Sequence, residues 1–343
     1  MTLRALIISI ALCAMPTAGI AQIREETFEA RSDEAVLAGT LVLPADRPRA
    51  AVVLIQGNGP HGRDQIISGT PMFRVLADEL AQLGIASVRI DNSGVGASTG
   101  ARIRHFRERT PQIVSVFDAL TSHPDLQGVP LGLIGHSEGT MVATEVWIER
   151  GDTLDFLVLL GAPGRPGRTV WIDQQANPAR FPDHDAAGHA RIRAALERVV
   201  DLAVADDRSG LEVAADHLFQ VSGLSAEEAA EIRPGFVERM SSAEMRVFLS
   251  HDPADAFVQV TDPVLTVWGG IDPLTSPELN VPVFLEGRNP ESRLTVVVLP
   301  DEEHFFLRGN GLAPGEHRFG EMSLSPRLVD VIADWLSSEQ FRR

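Results

Sequence analysis

Four strand-like runs, the first of them continuously apolar, constrain the fold of this chain more than anything else in it. They are "AAVVLIQG" (50–57), "IASVRID" (85–91), "VPLGLIG" (129–135) and "LDFLVLLGAPG" (154–164). A continuous apolar run ending in glycine, as at 50–57, is the mark of a strand buried on both faces. Helical spacing falls between them, in "PMFRVLADELAQLG" (71–84), residues 106 to 122 and "EGTMVATEVWIERG" (138–151). Strands alternating with helices predict a parallel sheet covered on both sides. Upstream, "TFEARSDEAVLAGTLVLP" (27–44) alternates as two antiparallel strands do.

The alternation lapses over residues 165 to 255, where the patterns are helical. One of these helices opens on Ser225 and Glu228, a capping-box pair. Strand patterns return at "PVLTVWGG" (263–270) and "RLTVVVLP" (293–300), and "SPRLVDVIADWLSSE" (325–339) closes the chain as a helix. The expected organisation is one α/β core in two parts, 22–164 and 256–343, interrupted by a helical cap at 165–255.

Residues 1–21 stand apart from the fold. Arg4, an apolar stretch to Leu12, Pro16, and small residues at Gly19 and Ala21 form a signal-peptide pattern, with cleavage after Ala21. A periplasmic or secreted protein is the expectation. Cleavage removes Cys13, the only cysteine, so disulfides, a cysteine nucleophile and cysteine-held metal are excluded from the mature chain. It also removes Arg4 and takes the formal net charge from −17 to −18. An acidic chain without a basic cluster is a poor ligand for nucleic acid, and no stable membrane association is expected. The oligomeric state is not legible.

The chemistry begins at "LGLIGHSEGT" (131–140), where Ser137 sits between Gly135 and Gly139 at a strand-to-helix turn. A G-x-S-x-G match is weak alone and needs a base, an acid and an oxyanion site in the right order. Asp272 follows the strand "VLTVWGG" and His304 follows "LTVVVLP". Open parallel sheets carry their reactive groups at such strand ends. A serine hydroxyl needs an imidazole to accept its proton, and a carboxylate holds that imidazole in one tautomer. The Glu138 backbone N–H, at the start of a helix, can meet an oxyanion. A second donor is expected from the glycine-rich loop "QGNGPHGRD" (56–64), with the Asn58 N–H first and Gly57 next.

Competing residues are weaker. His61, His105, His123, His184, His189, His217, His251 and His317 fall in loops or cap helices and read as solvated, and His136 reads as structural. Asp262 precedes its strand, and Asp301 is too close to His304 in sequence. His251 and Asp252, where the insertion rejoins the core, could line the site or serve structure. No metal motif is present, and "SGVGASTG" lacks both the lysine and the spacing of a phosphate loop.

Taken together, "GTLVLP", "VVLIQGNGPHGRD", "LADELAQLGIASVRIDNSGVGASTG", "IGHSEGT", "FLSHDP", "PVLTVWGGIDPLTSPELN" and "LTVVVLPDEEHFF" resemble the α/β-hydrolase esterases related to prolyl-oligopeptidase-type (S9) serine hydrolases. The resemblance covers residues 36 to 340 and implies the α/β-hydrolase fold, no cofactor, and a carboxylic-ester hydrolase with Ser137, Asp272 and His304 as its triad. The chain departs at "DNSGVGAST", where the family usually has an arginine before the first glycine, and at the acidic "DEEHFF". The expected partner is a small-molecule ester with a short to medium acyl chain. The alternatives are an S9-like peptidase, a thioesterase or a lactonase on the same triad, and a binding protein that keeps only the fold.

Overall fold

The structure is a computed structural model and describes residues 23–33, 35–103, 105–261, 263–309 and 318–338. The signal pattern at 1–21, Asp262 and His317 lie outside the described residues.

The first part of the chain runs β1 (Arg24–Ser32), β2 (Ala35–Leu43), β3 (Ala50–Ile55), the short pair β4 (Ile66–Ile67) and β5 (Thr70–Pro71), α1 (Met72–Gln82), β6 (Ile85–Ile90), α2 (Phe106–Thr121), β7 (Leu131–His136), α3 (Glu138–Arg150) and β8 (Phe156–Leu160). Six helices follow: α4 (Gly167–Gln175), α5 (Ala186–Val204), α6 (Arg208–Val221), α7 (Ala226–Met240), α8 (Ala243–Leu249) and α9 (Pro253–Phe257). The chain then returns through β9 (Val264–Gly269), α10 (Pro277–Gly287), β10 (Leu294–Leu299), the pair β11 (Leu307–Gly309) and β12 (Met322–Leu324), and α11 (Pro326–Ser337).

Eight strands form the main sheet in the order β1-β2-β6-β3-β7-β8-β9-β10. β1 and β2 are antiparallel to their neighbours, and every pairing from β6 to β10 is parallel. β3 and β8 are apolar throughout because both faces are buried, while β6, β7 and β9 also bury Ser87, Arg89, His136 and Thr266. On β3, Ala51, Val53 and Ile55 join one core cluster, while Ala50, Val52 and Leu54 join the other. The first face is covered by α2 and α3, through residues such as Phe117 and Val142. The second is covered by α1 and α11, through Phe73 and Ile332. The protein therefore has the mostly parallel, helix-flanked sheet of the α/β-hydrolase fold.

Helices α4 to α8 have an apolar cluster of their own, built from residues such as Trp171, Leu196, Leu218 and Met240. The Ser225–Glu228 capping box forms at the start of α7, with Ser225 N donating to Glu228 Oε2 at 2.9 Å. Helix α10 has no counterpart in the sequence reading. Its Pro277 and Pro282 look like breakers, yet Pro277 occupies the first helical turn, where no N–H is missed.

Candidate active site

Parallel strands deliver their C-terminal ends to one edge of the sheet, and three of these ends carry the residues of interest. Ser137 sits between the end of β7 and the start of α3. Its backbone is at φ 54°, ψ −124°, a sparsely populated conformation for a residue with a side chain. The turn is held by Ser137 N donating to Leu160 O at 2.8 Å and Thr140 N donating to Ser137 O at 2.9 Å.

The flanking glycines are required by close backbone packing. The positive φ belongs to Ser137, not to them. A Cβ on Gly135 would overlap the Gly139 carbonyl, and one on Gly139 would overlap the Ile55 carbonyl. The G-x-S-x-G spacing is thus imposed by close backbone approach, with α3 starting directly against the end of β3.

Asp272 and His304 are brought into direct contact. The His304 Nδ1–H donates to Asp272 Oδ2 at 2.7 Å, and the two residues are 2% and 3% exposed, respectively. That contact leaves Nε2 as the proton-accepting nitrogen. The Asp272 carboxylate is fully occupied. Oδ1 accepts from Leu274 N at 2.7 Å and Thr275 N at 2.8 Å, and Oδ2 also accepts from Thr275 Oγ1 at 2.7 Å. Burial works against its ionisation, but the hydrogen bonds from His304 and Thr275 outweigh it and hold the carboxyl below its ordinary pKa. Thr275 was missed in the sequence, although a threonine three residues after an acidic turn residue is a recognisable signal.

His136 links these loops. Its Nε2–H donates to the His304 carbonyl at 2.9 Å, and its Nδ1 accepts from Gln65 Nε2 at 3.0 Å. Gln65 Oε1 in turn accepts from Gly57 N at 2.8 Å. The residue next to Ser137 is therefore bonded to the loop of His304 and, through Gln65, to the glycine-rich loop. This chain of bonds corrects the reading of Gly57 as an oxyanion donor, because its N–H already has a buried partner. The Asn58 N–H has none among the described residues, and neither has the Glu138 N–H, the first of α3.

The imidazole of His136 is wholly buried, and burial, followed by the nearby His304, lowers its pKa from 6.5 to about 3. A proton on Nδ1 would face the Gln65 N–H. Between pH 6.5 and 3 the unfolded chain takes up this proton and the folded one does not. The stability from His136 is therefore complete above pH 6.5 and is lost as pH falls toward 3. By pH 5 the loss is on the order of 2 kcal/mol, since each pH unit is worth about 1.4 kcal/mol. Urea unfolding at pH 7.5 and pH 5 measures it. The gap between the two pH values is expected to shrink by that amount in His136→Gln, and an unchanged gap rejects the assignment.

The other candidates have structural partners. His251 is not solvated as the sequence suggested. It is 4% exposed and its ring lies 4.6 Å from that of Phe106. Asp252 caps α9, accepting from Ala254 N at 3.1 Å. Asp301 pairs with Arg308 and Arg327 at the surface. In the "DNSGVGAST" loop, Asp91 is bound by Arg63 through its side chain (2.7 and 3.1 Å) and backbone (2.8 Å). That glycine-rich loop is therefore tied to the loop of Asn58 by an ion pair. Among the described residues, no cluster of histidine, aspartate and glutamate could hold a metal ion.

A cavity of about 300 Å³ opens beside Asn58 and Glu138 and is closed on its other side by Trp171, Arg239, Met245 and Phe248 from α4, α7 and α8. A neighbouring one of about 210 Å³ shares Asn58, His105, Glu138 and Glu244 with it.

Known proteins share this architecture. Esterase EstD of Thermotoga maritima is 24% identical over 305 residues, which are 88% of this chain and 65% of that protein. The chain thus spans just under two thirds of that relative's length. Phospholipase YtpA of Bacillus subtilis is 26% identical over 257 residues, 70% of this chain and 82% of its own. The solved structure of Est1E from Butyrivibrio proteoclasticus superposes with a TM-score of 0.53 at 15% identity, covering 92% of this chain and 99% of that one, a likeness of fold. Residues 46–307 match the model of the family described as serine aminopeptidase, S33. That span runs from ahead of β3 to β11 and takes in Asn58, Ser137, Asp272 and His304, and the chain belongs to this family.

Proposed function

We propose that the chain is an exported serine esterase that cleaves carboxylic esters through an acyl-enzyme on Ser137. The observation that carries this reading is the buried Asp272–His304 pair, 2.7 Å apart, at the same sheet end as the strained Ser137 turn. Ser137 Oγ attacks the ester carbonyl carbon while His304 Nε2 takes its proton. The oxyanion is met by the N–H groups of Asn58 and Glu138. On collapse His304 returns the proton to the departing alcohol. It then takes a proton from water, which attacks the acyl carbon, and on collapse returns that proton to Ser137 Oγ as the acid leaves. Asp272 keeps His304 in the tautomer this needs and stabilises its charged form.

The cavities beside Asn58 support a short to medium acyl chain, and the motifs ally the enzyme with prolyl-oligopeptidase-type relatives. Hydrolysis of p-nitrophenyl esters from acetate to decanoate, by the mature protein and by Ser137→Ala, tests the reading. Turnover with an optimum at short or medium chains, lost in the variant, is the expected result. Equal activity of the variant would reduce Ser137 to a turn residue. The serine aminopeptidase description of the family favours a second reading, a peptidase on the same triad. It predicts cleavage of aminoacyl p-nitroanilides that is lost in Ser137→Ala, where an esterase leaves these amides intact.

Export rests on the pattern at 1–21. The mature protein is expected to begin at Gln22, and mass spectrometry of the protein from the periplasm or medium checks this. An intact Met1 on the accumulated protein would reject it.

A further inference from the structure

We propose that Arg109, with the side chains of Glu138 and Asn58, forms a clamp that aims the Asn58 N–H at the reacting carbonyl. The inference rests on the esterase reading and deepens it, since it concerns positioning within that site.

The need for a clamp begins at Gly57. A Cβ there would stand 3.2 Å from His136 Nδ1 and 3.3 Å from the Ser137 Cβ, so the loop passes the nucleophile turn at a distance where a side chain would press on both residues. Glycine solves the contact and creates a second problem. Without a Cβ its backbone is less restrained than that of other residue types, and the peptide that follows it carries the proposed oxyanion donor. Something else must fix that peptide.

Arg109, on α2, does so from behind. The residue is 2% exposed. Its Nη1 donates to the Gly57 carbonyl at 3.2 Å and its Nη2 to the Gln56 carbonyl at 2.8 Å. A peptide group is planar and trans, so its C=O and N–H point in opposite directions. Holding the Gly57 carbonyl from one side therefore directs the Asn58 N–H to the other. The preceding peptide is held at both ends, by Arg109 on the Gln56 carbonyl and by Gln65 on the Gly57 N–H.

Glu138 closes the clamp. Its Oε1 lies 3.6 Å from Arg109 Nη1, which compensates the buried guanidinium, and its Oε2 accepts from Asn58 Nδ2 at 2.9 Å. The two residues that supply oxyanion N–H groups are thus joined to each other by their side chains. Arginine suits the task because its planar fork meets two adjacent carbonyls at once, where a lysine ammonium offers a point charge.

The test uses Arg109→Lys and Asn58→Ala in the mature protein, with p-nitrophenyl butyrate as substrate and an alkyl trifluoromethyl ketone as tetrahedral mimic. Displaced donors cost turnover more than substrate binding. Arg109→Lys is expected to lower kcat by about 10- to 100-fold with KM within about 3-fold, and Asn58→Ala to lower kcat by about 3- to 10-fold. Affinity for the ketone should fall in parallel with kcat, while affinity for the product butyrate should not. A purely structural role for the arginine would lower melting temperature and active fraction and leave kcat per folded site unchanged, which overturns the proposal. If Arg109→Lys does not fold, Asn58→Ala decides, because Asn58 is exposed: an unchanged kcat and ketone affinity overturn the clamp. A wild type that cleaves no ester, or a Ser137→Ala variant as active as it, would instead bring down the esterase reading itself.

Discussion

Ser137→Ala is expected to lower ester turnover by about 10⁵-fold or more while leaving the fold intact. The size follows from what is removed. The other groups act as a unit with the hydroxyl, so most of their contribution goes with it, and what remains is catalysis by the oxyanion donors and by binding alone. The structure explains why stability should not move. Among the described residues no hydrogen bond uses the Ser137 hydroxyl, and alanine meets the same positive φ that serine already accepts. Unchanged thermal unfolding with lost turnover is the expected pair of results. Loss of less than about 100-fold would show that another group is the nucleophile.

Asp272→Asn is expected to lower kcat by about 10⁴-fold, through the tautomer of His304. The orientation of the new amide is decided by its surroundings. Leu274 N and Thr275 N both donate to Oδ1, so the oxygen of an asparagine must occupy that position. Its NH₂ then faces His304 Nδ1, where a donor stood opposite a carboxylate. The imidazole has to accept there, which moves its proton to Nε2 and, in the proposed mechanism, removes the base that Ser137 needs. Steady-state kinetics at pH 7.5 measures the loss, and nitrogen NMR of His304 reports the tautomer. A decrease below about tenfold, or an unchanged tautomer, would remove Asp272 from the mechanism.

Elements whose residues meet only neighbours in sequence or strand pattern were legible. β3 and β8 were readable as apolar runs because both faces are buried, and β6 and β7 were readable as strands although β6 buries Ser87 and Arg89. Ser137, Asp272 and His304 were readable because each follows such a run. Arg109 and Gln65 were not, since what matters about them is a contact with carbonyl or amide groups more than 40 residues away in the first case and a bridge to His136, 71 residues on, in the second. Gly57 was taken for a donor because its neighbours in sequence say nothing of Gln65. His251 was taken for a solvated side chain because local sequence does not reveal that Phe106 covers its ring. Helix α10 escaped because its prolines lie where a helix tolerates or absorbs them.

The separate apolar cluster of α4 to α8 has a consequence for how such a protein can change over generations. Its members, such as Leu196, Val199 and Leu211, are distinct from the two clusters that flank the sheet, and Phe248 is a residue that packs against both this cluster and the sheet's α2–α3 side. Substitutions inside it draw on a reserve of stability that the strands carrying Ser137, Asp272 and His304 do not share. Sites without common neighbours contribute additively. The helices that wall the cavity can accordingly be remodelled, in nature or in a library, with little debt passed on to the groups that break the bond. On the esterase reading, selectivity and reactivity are inherited as two nearly independent traits.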